Sequence, residues 1–478
     1  MQQPVQGRGP QAYRKAERIN LDAGTHGTFA EIGAGQEVAR WFFHVGGAAA
    51  TVAKSISAYD MAVSDALYGP SDRYVSRRRL RAMLDREYEV LLGQLDGKRG
   101  AETSFFVFAN TVAARSYSRP QDGDGWLGVR FQHQPRAAPS EIIIHARLLD
   151  TENVREQEAL GILGLNLLYG ALYFHDEPLA LIRSLMDDLS RGRVEIDMIR
   201  FDGPVFRGLD NRLMILQLVE QAFADAAMFQ ADGEVVQPAE VLYKKPLVVE
   251  RGSFRPVTNT TLDMLERATA QCREGSPPGT APPVAILEMS LRNLMAGDQV
   301  DHADFLDRVD VLGALGKMVM ISRFSTYTPL PAFLRRYTHE PIVFPMGIPT
   351  LKELLDERYY ADLDGGILEA FGQLFSGGVT LYVYPSVDPE TGQLVTLDTL
   401  AVPPPLAHLV SHLMAQRRIE AIRGVPAAQE IMPREVLRRL QAGDASWEAM
   451  VPAPAARLIK ERRLFLRQPP VASPPPPA

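Results

Sequence analysis

The sequence holds a single cysteine, Cys272, in 478 residues, so neither an intramolecular disulfide nor a cysteine-based zinc site can form within it. It also lacks any run of about 18 uninterrupted apolar residues, the length that a membrane-spanning helix requires. The nearest approach, residues 159–174, is broken by Asn166 and several glycines and reads as a buried helix. Positive charge is not in excess. A net charge of −7 argues against general binding to nucleic acid or to an anionic membrane. Lysine is scarce, eight of the 51 basic residues, which makes Lys54 and Lys317 easy to single out. Residues 1–17 are polar, without the apolar stretch of a signal peptide. These absences lead us to expect a soluble, cytoplasmic protein, with no nucleic acid and no membrane as partner.

What is present is the balance of a globular protein, 46% hydrophobic and 23% charged, in a chain too long for one ordinary core. The expected layout is a flexible leader (1–17) and an α/β domain carrying a glycine-rich loop (18–272). A Pro/Gly linker (273–283), a second α/β domain (284–466) and a Pro-rich tail (467–478) follow. The linker is the run Glu274-Gly-Ser-Pro-Pro-Gly-Thr-Ala-Pro-Pro283. In the first domain, strands are expected over 104–109, 126–133, 141–148, 194–201 and 246–250, with 126–133 and 141–148 antiparallel. Helices are expected over 76–95, 153–174, 178–190 and 211–227. Beyond the linker, strands at 284–289, 318–323, 341–345 and 379–384 alternate with helices, one of them covering 350–375. The fold class is therefore α/β, two domains with mixed or parallel sheets flanked by helices, the second more regularly alternating.

The most informative stretch runs from Leu21 to Arg40. It reads as an apolar strand, a glycine turn at Gly33 and Gly35, and a helix opening at Gln36. Such a turn points backbone N–H groups outward at a helix N-terminus, where a phosphate can sit. Glu31-Ile-Gly-Ala-Gly-Gln-Glu37 is similar to the first loop of S-adenosylmethionine-dependent methyltransferases, with Glu37 standing where a third glycine is expected. Asp60, after a second strand over 51–59, is the acidic residue placed to bind ribose hydroxyls, 27 residues beyond Gly33 rather than about 20. Thr25-His-Gly-Thr28 echoes the Thr/His-x-Gly-His signature of nucleotidyltransferases, with Thr28 in place of the last histidine. Arg251 and Arg255, in Arg251-Gly-Ser-Phe-Arg-Pro256 at the end of a short strand, are suited to clamping a phosphate or carboxylate. His145 lies in an apolar strand and reads as a hydrogen-bonded core residue before a catalyst. Glu195 and Asp197 alternate on a strand and read first as a polar face.

Taken together, Asn20–Asp22, residues 27–40, Lys54-Ser-Ile-Ser-Ala-Tyr-Asp60, Val249-Glu-Arg-Gly-Ser-Phe-Arg-Pro256 and Asp364-Gly-Gly-Ile-Leu-Glu-Ala-Phe-Gly372 resemble a widespread bacterial family of about this length. Its members carry two conflicting labels, nicotinate-nucleotide adenylyltransferase and TonB-dependent receptor. An outer-membrane barrel needs an export signal and many alternating segments of about ten residues, and the sequence shows neither. The resemblance therefore implies a nucleotide- or phosphometabolite-binding protein, adenylyltransferase-like if an enzyme. Gly33, Gly35, Gln36 and Asp60 are the expected ligand-binding residues, and Lys54, Arg251 and Arg255 the expected catalytic cations. No cofactor and no metal is assigned. The competing classes are a non-catalytic protein that self-associates as a homo-oligomer or binds a partner, and a methyltransferase.

Overall fold

The computed structural model describes residues 10–33, 36–115, 123–388, 391–424 and 431–466. The chain divides into two compact units, Met1–Ala224 and Asp225–Ala478. The first is built on a six-stranded sheet in the order β2-β1-β3-β4-β5-β6. Its strands are β1 (Thr25–Gly33), β2 (Val52–Ile56), β3 (Ser104–Ala113), β4 (Gly123–Phe131), β5 (Ser140–Leu148) and β6 (Val194–Asp202). The central strand β1 is parallel to both β2 and β3, and β3 to β6 form an antiparallel meander. Because β1, β3 and β5 are covered on both faces, their apolar residues run continuously instead of alternating.

On one face of this sheet lie α1 (Gln11–Asn20), α2 (Glu37–Val45) and the long α5 (Asn153–Tyr173). Phe29 of β1 meets Phe42 of α2 with ring centroids 4.9 Å apart. Gly164 lets α5 close in: a Cβ there would stand 2.4 Å from Val38 and 2.9 Å from the Phe108 ring. The opposite face carries α3 (Met61–Tyr68) and α4 (Arg77–Arg99), with Leu80 and Leu84 of α4 against Gly128. Two further helices, α6 (Pro178–Ser184) and α7 (Asn211–Glu220), flank the last strand. No helix among the described residues is long and apolar enough to cross a membrane. Residues 159–171 of α5 are all buried.

The second unit contains an eight-stranded sheet in the order β18-β15-β14-β9-β10-β13-β7-β8. Its strands are β7 (Ala226–Phe229), β8 (Val235–Val236), β9 (Leu247–Arg251), β10 (Val284–Ser290), β13 (Met318–Ser322), β14 (Ile342–Gly347), β15 (Val379–Tyr384) and β18 (Ile419–Ala421). Two small hairpins, β11 (Met295–Ala296) with β12 (Gln299–Val300) and β16 (Ser386–Val387) with β17 (Leu394–Val395), lie outside the sheet. The six strands from β13 to β18 in the sheet are mutually parallel, and β7 and β8 extend it antiparallel beyond β13. Counted from β9, the parallel strands follow the doubly wound order 3-2-1-4-5-6, reversing direction between β9 and β14.

Three expectations differ from the structure. The boundary placed near residue 280 falls inside the second unit, because β9 on its near side pairs in register with β10 on its far side. The Pro/Gly run is a connection from the helix Asn259–Glu274 into β10. The helix expected over 211–227 ends at Glu220, and Ala226–Phe229 instead joins the second sheet beside β13. The helix expected over 350–375 is also divided, into Ile348–Leu354 and Gly366–Leu374 with a short 3-10 turn between them.

Candidate functional site

At the end of β1, Gly33 has φ +80°, and a Cβ on it would stand 2.1 Å from the Val112 carbonyl oxygen. The pairing of Gly33 with Val112 on β3 thus demands glycine whether or not a ligand is bound. Gly35 lies outside the described residues. Gln36 precedes α2, and its amide donates to Ser57 Oγ at 2.8 Å. Asp60 caps α3, accepting from the amides of Ala62 (2.9 Å) and Val63 (3.2 Å). Gly33, Gln36 and Asp60 each already have local work in the fold.

The anion at the start of α2 comes from the chain itself. Glu31, buried at the end of β1, accepts from the amides of Val38 (3.1 Å) and Ala39 (3.2 Å) and from the Asn110 side chain (3.0 Å). Burial raises its carboxyl to about 7, against those hydrogen bonds, which favour the charged form. The helix-end amides expected to hold a phosphate are therefore satisfied by Glu31. Beyond them, at the carboxyl ends of β1 and β3, opens a cleft of about 580 Å³ lined by Gly33, Gln36, Tyr59, Arg115, Asn153 and Gln157. Its lining is largely neutral, unlike the cationic cradle that the sequence suggested.

Lys54 projects from β2 toward α4 and forms an ion pair with Glu87, which also accepts from the Tyr68 hydroxyl at 2.9 Å. Arg251 and Arg255 belong to the second unit, at the carboxyl end of β9. Arg251 is sunk among the strand ends. Its Nε lies 2.5 Å and its Nη2 2.9 Å from the carboxylate of Glu288, which is fully buried on β10. It also donates to the Phe324 carbonyl at 2.9 Å and lies 5.1 Å over the Tyr327 ring. Ser322 Oγ completes the carboxylate's shell at 2.5 Å.

Arg255 keeps a side chain 30% exposed and contacts Asp304 through Nε at 2.6 Å. Asp304 is shared with the buried Arg308, which also donates to the carbonyls of Ser253 and Asn293, both at 2.8 Å. Asn293 in turn donates to the Gly252 carbonyl at 3.1 Å. The turn 252–255 is thus fastened from beneath, and two cations face one carboxylate at its outer end.

A further cluster was legible only in part. His145 on β5 sits between Asp197 (Nδ1 to Oδ1, 2.6 Å) and Asp124 (Nε2 to Oδ2, 3.3 Å), and its ring lies 4.8 Å from that of Trp126. A register shift between His145 and Ala146 marks a bulge in the β5–β6 pairing that leaves Asp197 facing the histidine. Burial lowers the affinity of His145 for a proton, but the two carboxylates outweigh it and hold the imidazolium up to about 9. Arg147 and Glu195 form the next ion pair along the same strands. The expected polar strand face is therefore a buried row of ion pairs. The matching period-2 spacing of His145/Arg147 and Asp197/Glu195 was its signal.

No family model matches the chain, and no curated protein matches it. Solved structures similar to parts of it include the competence/damage inducible protein CihA from Agrobacterium tumefaciens, at 15% identity over 34% of this chain and 93% of that one, with a TM-score of 0.23. A competence-damaged protein (CinA) superfamily protein from Enterobacter cloacae matches at 13% identity over 36% and 98%, with a TM-score of 0.25. A provisionally named nicotinate-nucleotide adenylyltransferase from Vibrio parahaemolyticus matches at 12% identity over 47% and 98%, with a TM-score of 0.26. At TM-scores this low, the likenesses carry no argument about this chain.

Proposed function

We propose that the protein binds a nucleotide or phosphorylated small metabolite at the carboxyl ends of the parallel strands of its second unit. The strand order carries this reading. In a doubly wound sheet the ligand crevice opens where the order reverses, and the turn after the first strand receives its phosphate. Here that turn is Arg251-Gly-Ser-Phe-Arg255, leading from β9 into the 16-residue helix Asn259–Glu274 beside the β9/β14 reversal. Arg251 is committed to Glu288, so the phosphate contact falls to Arg255. Asp304 and Asp301 both act on the buried Arg308, and Arg255, with its side chain 30% exposed, is the cation at the outer end of the turn that can meet an anion. Lys54 belongs to the first unit.

The test is a calorimetric titration and thermal-shift comparison with ATP, nicotinate mononucleotide and S-adenosylmethionine. Arg255→Gln is expected to weaken the bound phosphate ligand roughly tenfold or more, the loss of one charge-assisted hydrogen bond. Its melting temperature in the free state should stay close to the parent's, because Arg308 still holds Asp304. Absence of any response to the phosphate ligands, or an unchanged affinity in the variant, sinks the reading. Adenylyl transfer is its finer form, checked by pyrophosphate release from ATP and nicotinate mononucleotide together.

Self-association is a second reading with its own support. Helix α3 presents Met61, Val63 and Leu67 to solvent, preceded by Tyr59 at 76% exposure. Large exposed side chains clustered on one short helix are the mark of a surface that meets another protein. Light scattering should then give more than one chain per particle, and Val63→Glu with Leu67→Glu should reduce it to the monomer. A parent protein that is already monomeric excludes this reading.

A further inference from the structure

We infer that the first unit contains a separate binding site for a small hydroxycarboxylate, between strands β1 and β2 and helix α4. A pocket of about 280 Å³ opens there, with Leu91 on its apolar wall. Its polar lining brings together residues distant in sequence: His26 and Thr28 from β1, Lys54 from β2, and Gln94 and Arg99 from α4. The parallel pairing of Thr28 with Lys54 sets the strand side of the pocket.

Each polar group has a defined capacity. His26 Nδ1 lies 2.8 Å from the Ala50 carbonyl, which can only accept, so Nδ1 carries the proton. Burial and the nearby Arg99 both disfavour a second proton, leaving Nε2 a bare acceptor on a neutral ring. Thr28 is 1% exposed, and its residual exposure is to the pocket that it lines. Gln94 is exposed and Arg99 partly exposed at the rim of the pocket, where both can donate to a ligand.

The charges select the ligand. Lys54 is neutralised by Glu87, and His26 is neutral, so Arg99 is the one cation among the described lining residues without an ion pair. That arrangement favours a monoanion over a dianion. The carboxylate takes Arg99, with Gln94 and Thr28 as further donors, and a hydroxyl on the ligand donates to His26 Nε2. The volume suits a metabolite of a few carbons. This site lies in the first unit, independent of the β9 turn, and stands or falls without it.

The experiment uses the full chain and three probes of nearly equal size, L-lactate, propionate and lactamide, followed by protein NMR titration and calorimetry. Lactate is expected to bind saturably. Propionate, lacking the hydroxyl, should bind roughly tenfold more weakly, and lactamide, lacking the charge, should not compete. Arg99→Gln should abolish lactate binding, and Thr28→Val should weaken it while preserving the side-chain volume. Arg99 is partly exposed on α4, so its variant keeps the inference testable even if Thr28→Val fails to fold. No saturable lactate binding, equal binding of lactamide, or full binding by Arg99→Gln would each overturn the proposal.

Discussion

Replacing Glu288 with alanine is expected to destabilise the second unit by about 3–5 kcal/mol, because it strands the buried guanidinium of Arg251 without its counter-ion. Arg251 is only 9% exposed in its side chain and Glu288 not at all. Burial opposes the charge on Arg251, and the bonds to Glu288 more than compensate, raising its proton affinity. Water cannot replace the carboxylate, and Ser322 and the Phe324 carbonyl cannot neutralise a cation. The double variant Arg251→Met, Glu288→Leu should recover much of the loss, since a buried ion pair exchanged for apolar groups of similar volume is often nearly neutral. The readout is urea unfolding followed through Trp447, the second unit's tryptophan; Trp41 and Trp126 report the first unit. Equal stability of Glu288→Ala and the parent would show that Arg251 finds another partner, returning it to the candidates for ligand binding.

Asp197→Asn is expected to produce a comparable loss in the first unit, and one that depends on pH. His145 holds its proton up to about 9, above its ordinary value of 6.5, so the folded state binds that proton more tightly than the unfolded chain does. Its stabilising contribution is therefore complete below pH 6.5 and fades as pH rises through about 9. A shift of this size corresponds to about 3 kcal/mol. In Asp197→Asn the imidazolium keeps only Asp124, so stability should fall most below pH 6.5 and converge on the parent's above pH 9. Unfolding midpoints on either side of this window give the comparison. Trp126, whose ring packs on His145, should report the titration through its emission. A parent protein with flat stability between pH 6.5 and 9 would show that the cluster does not hold the proton as its geometry implies.

Both pairs show where reading along the chain stops. Alternation and burial-length runs were enough to place β3, β4, β5, β6 and β10, and the antiparallel pairing of β4 with β5 followed from their spacing. The short strands β7 and β18 carried too few residues to show a period. Their place is decided by the strands they pair with, β13 and β15. Pro/Gly composition marked a break near residue 280, but composition reports only that the local chain turns. Whether two domains meet there depends on which strands pair across it, and β9 pairs with β10.

The sequence by itself determined the α/β class and the strand–turn–helix character of Leu21–Arg40. It also located the arginine-bearing turn after β9, because periodicity, glycine and charge are local properties. The tertiary structure alone decided what those groups face. Glu31 reaches the helix end that a phosphate was expected to fill, and Glu288 takes the charge of Arg251. His26, Thr28, Lys54 and Arg99 come from three elements to line one pocket. A carboxylate's partner is fixed by distances across strands and helices, and sequence spacing within one element does not contain them.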